Sequence, residues 1–191
     1  MAWLAAGIAL LVALCAASVA FGTRRIPLGE VFDAFLGEPR DRAEQITRAV
    51  LYRRLPRTVL AALIGAALAV SGTAMQAVTR NPLADPGILG VSNGAALAVV
   101  IGLAFFDVGD PSLTMAISIA GSAVAAVFVY TVGSLGRGGA TPLKLALAGA
   151  ASSAAFASLV SAIVLPRARV TETFRSWQIG GVGGASWESI G

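Results

Sequence analysis

Five stretches of this chain are long enough to cross a lipid bilayer and carry no Asp, Glu, Lys or Arg: roughly Ala2–Phe21, Thr58–Thr79, Gly87–Phe106, Pro111–Leu135 and Leu145–Leu165. A helix rises about 1.5 Å per residue, so about 20 apolar residues cross a hydrocarbon core of about 30 Å. Unpaired backbone groups are costly in hydrocarbon, so each stretch is predicted helical rather than extended. The fold class that follows is all-α, a polytopic transmembrane helical bundle. Only 13% of the 191 residues are charged, and a water-soluble fold of that length needs a charged exterior that these runs cannot supply. Small residues recur four apart at Gly65/Ala69, Gly149/Ser153 and Ala146/Ala150/Ala154, the spacing that lets membrane helices approach closely.

Several chemistries are excluded by what the chain lacks. It has no histidine, one cysteine (Cys15) and one lysine (Lys144), so no Cys/His metal cluster can be drawn and no cofactor is implied. Lys144 follows no glycine-rich loop, so there is no Walker A phosphate loop and ATP hydrolysis is not expected in this chain. The pI of 10.2 reads as loop arginine beside a membrane or facing an acidic partner rather than as a nucleic-acid surface. The first span lacks the basic n-region of a secretory signal, and Val12-Ala13-Leu14-Cys15 is a poor lipoprotein site, so it is read as a retained helix.

Between the spans lie polar connections. Gly22–Arg57 is long and carries both charges; within it Leu28, Val31, Phe32 and Phe35 recur at helical spacing and predict a short interfacial helix. Arg80–Pro86 holds two prolines that stop one helix and set up the next, with Asp85 as a helix cap and Pro86 at the first helical position. Asp107–Asp110 is a short acidic turn and Gly136–Lys144 a glycine-rich basic one. Pro166–Gly191 reads as a polar connection with Trp177 and Trp187 at a membrane interface.

One ordered set of motifs is distinctive. It runs from Arg54-Leu55-Pro56-Arg57 through Gly65-Ala66-Ala67-Leu68 to Ser71-Gly72-Thr73-Ala74-Met75-Gln76, then Asn81-Pro82-Leu83-Ala84-Asp85-Pro86-Gly87-Ile88-Leu89-Gly90-Val91-Ser92-Asn93-Gly94. Leu147-Ala148-Gly149-Ala150 and Trp177-Gln178-Ile179-Gly180-Gly181 follow in order. Together they resemble the FecCD/BtuC-type permeases of ABC importers, which carry iron-siderophores, haem and vitamin B12. The resemblance implies about twice as many membrane helices per subunit as are present here, with the chain ending near the start of the sixth. It also implies a single transmembrane permease domain over residues 1–191, a second permease subunit, cytoplasmic ATP-binding subunits and an extracytoplasmic substrate-binding protein. The expected setting is the bacterial cytoplasmic (inner) membrane, and membrane lipid is the surrounding partner.

The same resemblance places the amino terminus in the cytoplasm and gives Arg54 and Arg57 a role in docking the binding protein. The alternative for both is that they flank a helix end or contact lipid phosphate. Counting basic residues points the other way, because eight arginines in Gly22–Arg57 would then lie outside, against the positive-inside tendency. Ser152 and Ser153 are expected at the translocation pathway or gate, with Thr141 near its inner mouth; backbone hydrogen bonding within the helix is the alternative. Pro56, Gly72, Gln76, Asn81, Pro82, Asp85, Pro86, Gly87, Gly90, Asn93 and Gly94 are read as mainly structural motif residues. A proton-coupled carrier would need a titratable residue within a span, and a membrane enzyme a nucleophile with a base; the five spans offer neither. A purely structural assembly subunit stays open, and the identity of the cargo is not readable.

Overall fold

The computed structural model describes residues 1–22, 41–82, 84, 85, 87, 90–136 and 139–187. The expected interfacial helix at Pro27–Phe35, and Pro86, lie outside them. Among the described residues there are six helices and no strand: α1 (Ala2–Ala20), α2 (Arg42–Thr79), α3 (Val91–Phe105), α4 (Pro111–Ser134), α5 (Pro142–Val164) and α6 (Ala168–Ile179). Four of them, α1, α2, α4 and α5, have the length and apolar composition to cross a membrane. The chain is all-α and polytopic. It forms two compact units, Met1–Ala67 with Gly181–Gly191, and Leu68–Gly180.

Three boundaries differ from the sequence expectation. α2 begins at Arg42 rather than Thr58 and carries Pro56 inside it. A proline within a helix forfeits one N–H and crowds the preceding turn, but the flanking Arg, Ala, Glu, Gln and Leu residues favour helix strongly. Asp41 starts it, accepting a hydrogen bond from the Glu44 N–H at 2.9 Å. That Asp-x-x-Glu arrangement is a capping-box pattern.

α3 has 15 residues instead of the 20-residue span expected at Gly87–Phe106. At about 1.5 Å per residue it is about 22 Å long, short of a bilayer core. Its beginning is set by Gly90 at φ 70°, and its end by Asp107 at φ 49°. Asp85 does not cap it: Oδ1 of Asp85 accepts from the Gly87 N–H at 2.6 Å, closing a local turn ahead of the helix. Residues 166–191, expected as a polar connection, contain α6, whose Val170, Phe174 and Trp177 share one helix face. Trp177, expected at the membrane interface, is half-buried and stacks on Phe174 with ring centroids 5.8 Å apart.

α3 is the centre of the second unit. It packs against α4, α5 and α6, and α4 packs on α5. Ala96, Val99, Val100 and Phe174 form its buried cluster, closed by Leu103, Val160, Ile163, Val164 and Trp177. The α3–α4 crossing is backbone-close. A Cβ on Gly94 would overlap Ala125 and stand 3.0 Å from the Gly121 carbonyl oxygen; one on Gly121 would overlap Ala98 and stand 2.9 Å from the Gly94 carbonyl oxygen. Gly94/Ala98 and Gly121/Ala125 are thus two small-xxx-small pairs in mutual contact.

The helix ends follow local chemistry. Asp110 caps α4: its carboxylate accepts from the Leu113 N–H at 2.9 Å and from the Ser112 hydroxyl, and Pro111 occupies the first turn. The Ser112 bond and then the Leu113 N–H hold this carboxyl below its ordinary value of 3.8. At the far side, the Thr171 hydroxyl donates to the Val164 carbonyl at 2.9 Å and Nη1 of Arg167 to Ile163 at 3.0 Å, tying α6 to the end of α5.

Two outcomes are expected. Gly94→Val introduces overpacking of about 3 kcal/mol and lowers the thermal unfolding midpoint in detergent, whereas Gly7→Ala, with nothing within 4 Å, leaves it nearly unchanged. The Asp110 cap contributes stability above the ordinary carboxylate value and loses it as pH falls through the lowered folded value. Asp110→Asn should flatten that acid limb of the unfolding curve.

Candidate functional site

Two constellations bring together residues that the sequence singles out. The first lies within Met1–Ala67 and its companion segment, where α1 ends beside the middle of α2. The last carbonyls of a helix have no intrahelical donor and carry partial negative charge. Here Arg54 supplies the donor: its Nη1 reaches the Val19 carbonyl at 2.8 Å and the Ala20 carbonyl at 3.3 Å. The guanidinium passes so close to Gly22 that a Cβ there would overlap it. Ser18 and Thr58 hydroxyls meet at 2.9 Å, and Thr58 donates to the Arg54 carbonyl at 3.0 Å. Leu51 is 1% exposed and packs on Val19, with Val50 and Leu55 around them. Pro56 is also fully buried, which gives this motif residue a packing role.

Beside that junction is a cavity of about 560 Å3 walled by Ser18, Phe21, Val50, Arg53, Arg54 and Arg57. Val50, Arg53, Arg54 and Arg57 lie on one stripe of α2, at i, i+3, i+4 and i+7. Arg53 and Arg57 are exposed, while Arg54 is half-buried. Of the two arginines expected to act together, one therefore holds the end of α1 and the other borders open space. Arg53 was not anticipated. Its i, i+4 spacing to Arg57 was the available signal, and it was hidden by the assumption that the helix begins at Thr58.

The second constellation is the entry of α3 against α5, within Leu68–Gly180. α2 ends with Arg80 in the left-handed region at φ 51°, and the Asn81 N–H reaches back to the Gln76 carbonyl at 3.2 Å. That is a Schellman closure, with Pro82 following where the helix cannot continue. The Ala84 N–H bonds to the Asn81 carbonyl at 3.1 Å, and the Gly90 N–H to the Gly87 carbonyl at 3.0 Å, so local turns bracket this motif among the described residues. It delivers Gly90 to α5. A Cβ on Gly90 would lie 3.0 Å from the Ser153 hydroxyl and 3.4 Å from the Gly149 carbonyl. Ser152 and Gly149 are buried, Ser153 and Asn93 half-buried.

Thr141 is not brought to these serines. It caps α5, accepting weakly from the Lys144 N–H at 3.4 Å, and stands about 16 Å away along the same helix. Lys144 belongs to the first turn of α5 rather than to a loop, and its Nζ donates to the Gly139 carbonyl at 3.2 Å. Gly72 and Gln76 lie on α2; a Cβ on Gly72 would meet nothing within 4 Å, and Gln76 is exposed. Ser158 and Ser161 are exposed on α5 and donate to carbonyls one turn back, each at 2.9 Å. Among the described residues no group of three or more Cys, Asp or Glu is placed to hold a metal.

Apolar helices of bilayer length, a small-residue crossing of α3 on α4, and arginine beside the apolar runs define a polytopic membrane protein. The model of the FecCD transport family matches residues 10–191, and the chain belongs to that family. It is 42% identical over 189 residues to the iron(3+)-hydroxamate import system permease protein FhuB of Bacillus subtilis, covering 98% of this chain and 48% of that protein. It is 41% identical over 171 residues to the ferric enterobactin transport system permease protein FepD of Escherichia coli, covering 90% of this chain and 50% of that one. The chain thus spans about half the length of these relatives. Its fold is similar to a structure described as an inward-facing conformation of a metal-chelate type ABC transporter, with a TM-score of 0.72 and 24% identity, over 96% of this chain and 53% of that one.

Gly90→Ala combines a left-handed backbone with the Ser153 contact and should cost about 2–3 kcal/mol. Thermal unfolding in detergent reads it, and adding Ser153→Ala should recover only the contact part. Arg54→Leu removes a charged donor from two carbonyls and should cost about 2 kcal/mol, with hydrogen exchange rising first at the end of α1.

Proposed function

We propose that this chain is part of the permease subunit of a bacterial ABC importer, moving an iron-siderophore or related metal chelate across the cytoplasmic membrane. The observation that carries this reading is the match to the FecCD transport family over residues 10–191. Relatives named for iron(3+)-hydroxamate and ferric enterobactin support an iron chelate as the cargo, with haem the alternative that a relative named for hemin keeps open. ATP hydrolysis is assigned to separate cytoplasmic subunits, since the chain has no phosphate loop. A second permease subunit and an extracytoplasmic binding protein complete the assembly, and residues 1–191 act as one continuous portion of the permease domain.

In this reading the division of labour among the expected site residues shifts. Arg57, exposed at the cavity rim, takes the docking role, because a rim charge steers an acidic partner and raises its on-rate more than it tightens the complex. Arg54 serves docking indirectly by holding the end of α1 in place. Ser153 supports a pathway by meeting Gly90 at the entry of α3, while Ser152 beside it is buried within the packed helices. The exposed face of α5, with Ser158 and Ser161, supports a weakly polar conduit wall, since each hydroxyl is already satisfied within the helix.

The test is uptake of radiolabelled ferric hydroxamate by a full-length permease carrying this segment, together with its ATPase and binding protein. Arg57→Glu should slow binding-protein association several-fold, with a shallower dependence on salt, and reduce uptake. Uptake and association both unchanged would remove Arg57 from docking; no ATP-dependent uptake of any ferric chelate by the unaltered assembly would overturn the function itself.

A further inference from the structure

We infer that the arginine cavity between the end of α1 and the middle of α2 is a binding site for the phosphate of an anionic phospholipid. Its position carries the first part of the argument. The apolar run of α1 ends at Phe21, and that of α2 starts at Thr58, directly after Arg57. The two hydroxyls that mark these ends, Ser18 and Thr58, are within 2.9 Å of each other. The cavity therefore lies at the depth where hydrocarbon gives way to headgroups. This holds for either orientation of the chain in the membrane, because it depends only on where the two apolar runs stop.

Its lining carries the second part. Arg53, Arg54 and Arg57 face the same space of about 560 Å3, and Phe21 and Val50 supply apolar wall on either side. A guanidinium presents a planar fork of donors that matches phosphate oxygens, and basic pockets between membrane helices are suited to acidic headgroups. α1 adds the remaining requirement. Trp3, Leu4, Ile8, Leu11 and Leu14 are all more than half exposed, so acyl chains have a hydrocarbon-length surface to follow from the headgroup inward. The negative end of the α1 dipole would repel a phosphate, but Arg54 stands on those carbonyls at 2.8 Å and screens them. Docking through the exposed rim at Arg57 would leave the apolar surface that leads away from the cavity unused. A lipid engages both the arginines and that surface.

The chain purified in detergent provides the test, with no binding protein present. Native mass spectrometry should retain about one phosphatidylglycerol per chain in preference to phosphatidylcholine. Arg53→Gln with Arg57→Gln should weaken that retention, at roughly fivefold for each charge lost, whereas Arg80→Gln, outside the cavity, should not. Ser18→Asp offers a second approach from the opposite wall, placing a carboxylate beside the arginines and expelling the headgroup without altering them. Circular dichroism confirms that each variant keeps its helix content. Equal retention of the two lipids overturns the proposal, as does phosphatidylglycerol binding that both sets of variants leave intact. Inorganic phosphate separates the sources: displacement of the lipid by phosphate at equal concentration would mean that the cavity reads a free anion, and would also overturn it.

Discussion

The close approach of α3 and α4 is the contact on which the second unit depends. Lipid tails are as apolar as leucine, so helices in a membrane gain little from hiding apolar surface from one another. What remains is dispersion, which falls off steeply with distance, and a Cβ at either Gly94 or Gly121 would forfeit it. With those side chains missing, α4 comes within backbone distance of α3. That leaves the opposite side of α3 for α5 and α6, and Val99 and Val100 become almost wholly enclosed. Enclosure in turn explains why α3 is allowed to be short. A helix surrounded by protein does not need to match the bilayer.

Much of this was legible from residue order alone, and the failures have identifiable causes. α1, α4 and α5 fall within a few residues of their expected limits because hydrocarbon length and proline-led starts both act locally; Pro111 and Pro142 each sit in the first turn of their helix, behind Asp110 and Thr141. α2 was cut short because its expected limit was that of the chargeless run, which starts after Arg57, whereas a strong run of helix formers and the Asp41–Glu44 cap carry the helix through Pro56. α6 was missed because a 12-residue amphipathic helix leaves no trace in a search for bilayer-length runs. Its signal was the Val170, Phe174, Trp177 spacing, which packs the aromatic pair under α3.

Site residues divide along the same line. Contacts such as those of Gln76, Asn81, Asp85, Gly87 and Gly90, each with neighbours a few positions away, lie within reach of residue order. The task of Arg54 does not, because its acceptors lie 34 and 35 residues earlier in the chain and only the folded geometry identifies them. An arginine beside an apolar run looks the same whether it meets solvent, lipid phosphate or a helix terminus. Distinguishing these requires knowing where α1 stops in space.

That distinction bears on how the hydroxyl groups of the apolar helices are used. Ser152 is 7% exposed, so its hydroxyl lies inside the packed helices rather than on open surface. Ser158 and Ser161 lie on exposed surface, but their hydroxyls are returned to their own backbone, as are those of Thr73 and Thr131 elsewhere. A helix face made this way is polar enough to be wetted while its hydroxyls stay occupied by their own backbone. Helix positions rather than side-chain chemistry then govern how these segments fit together, and glycine contacts at Gly90 and Gly94 are the places where a small displacement would be felt first.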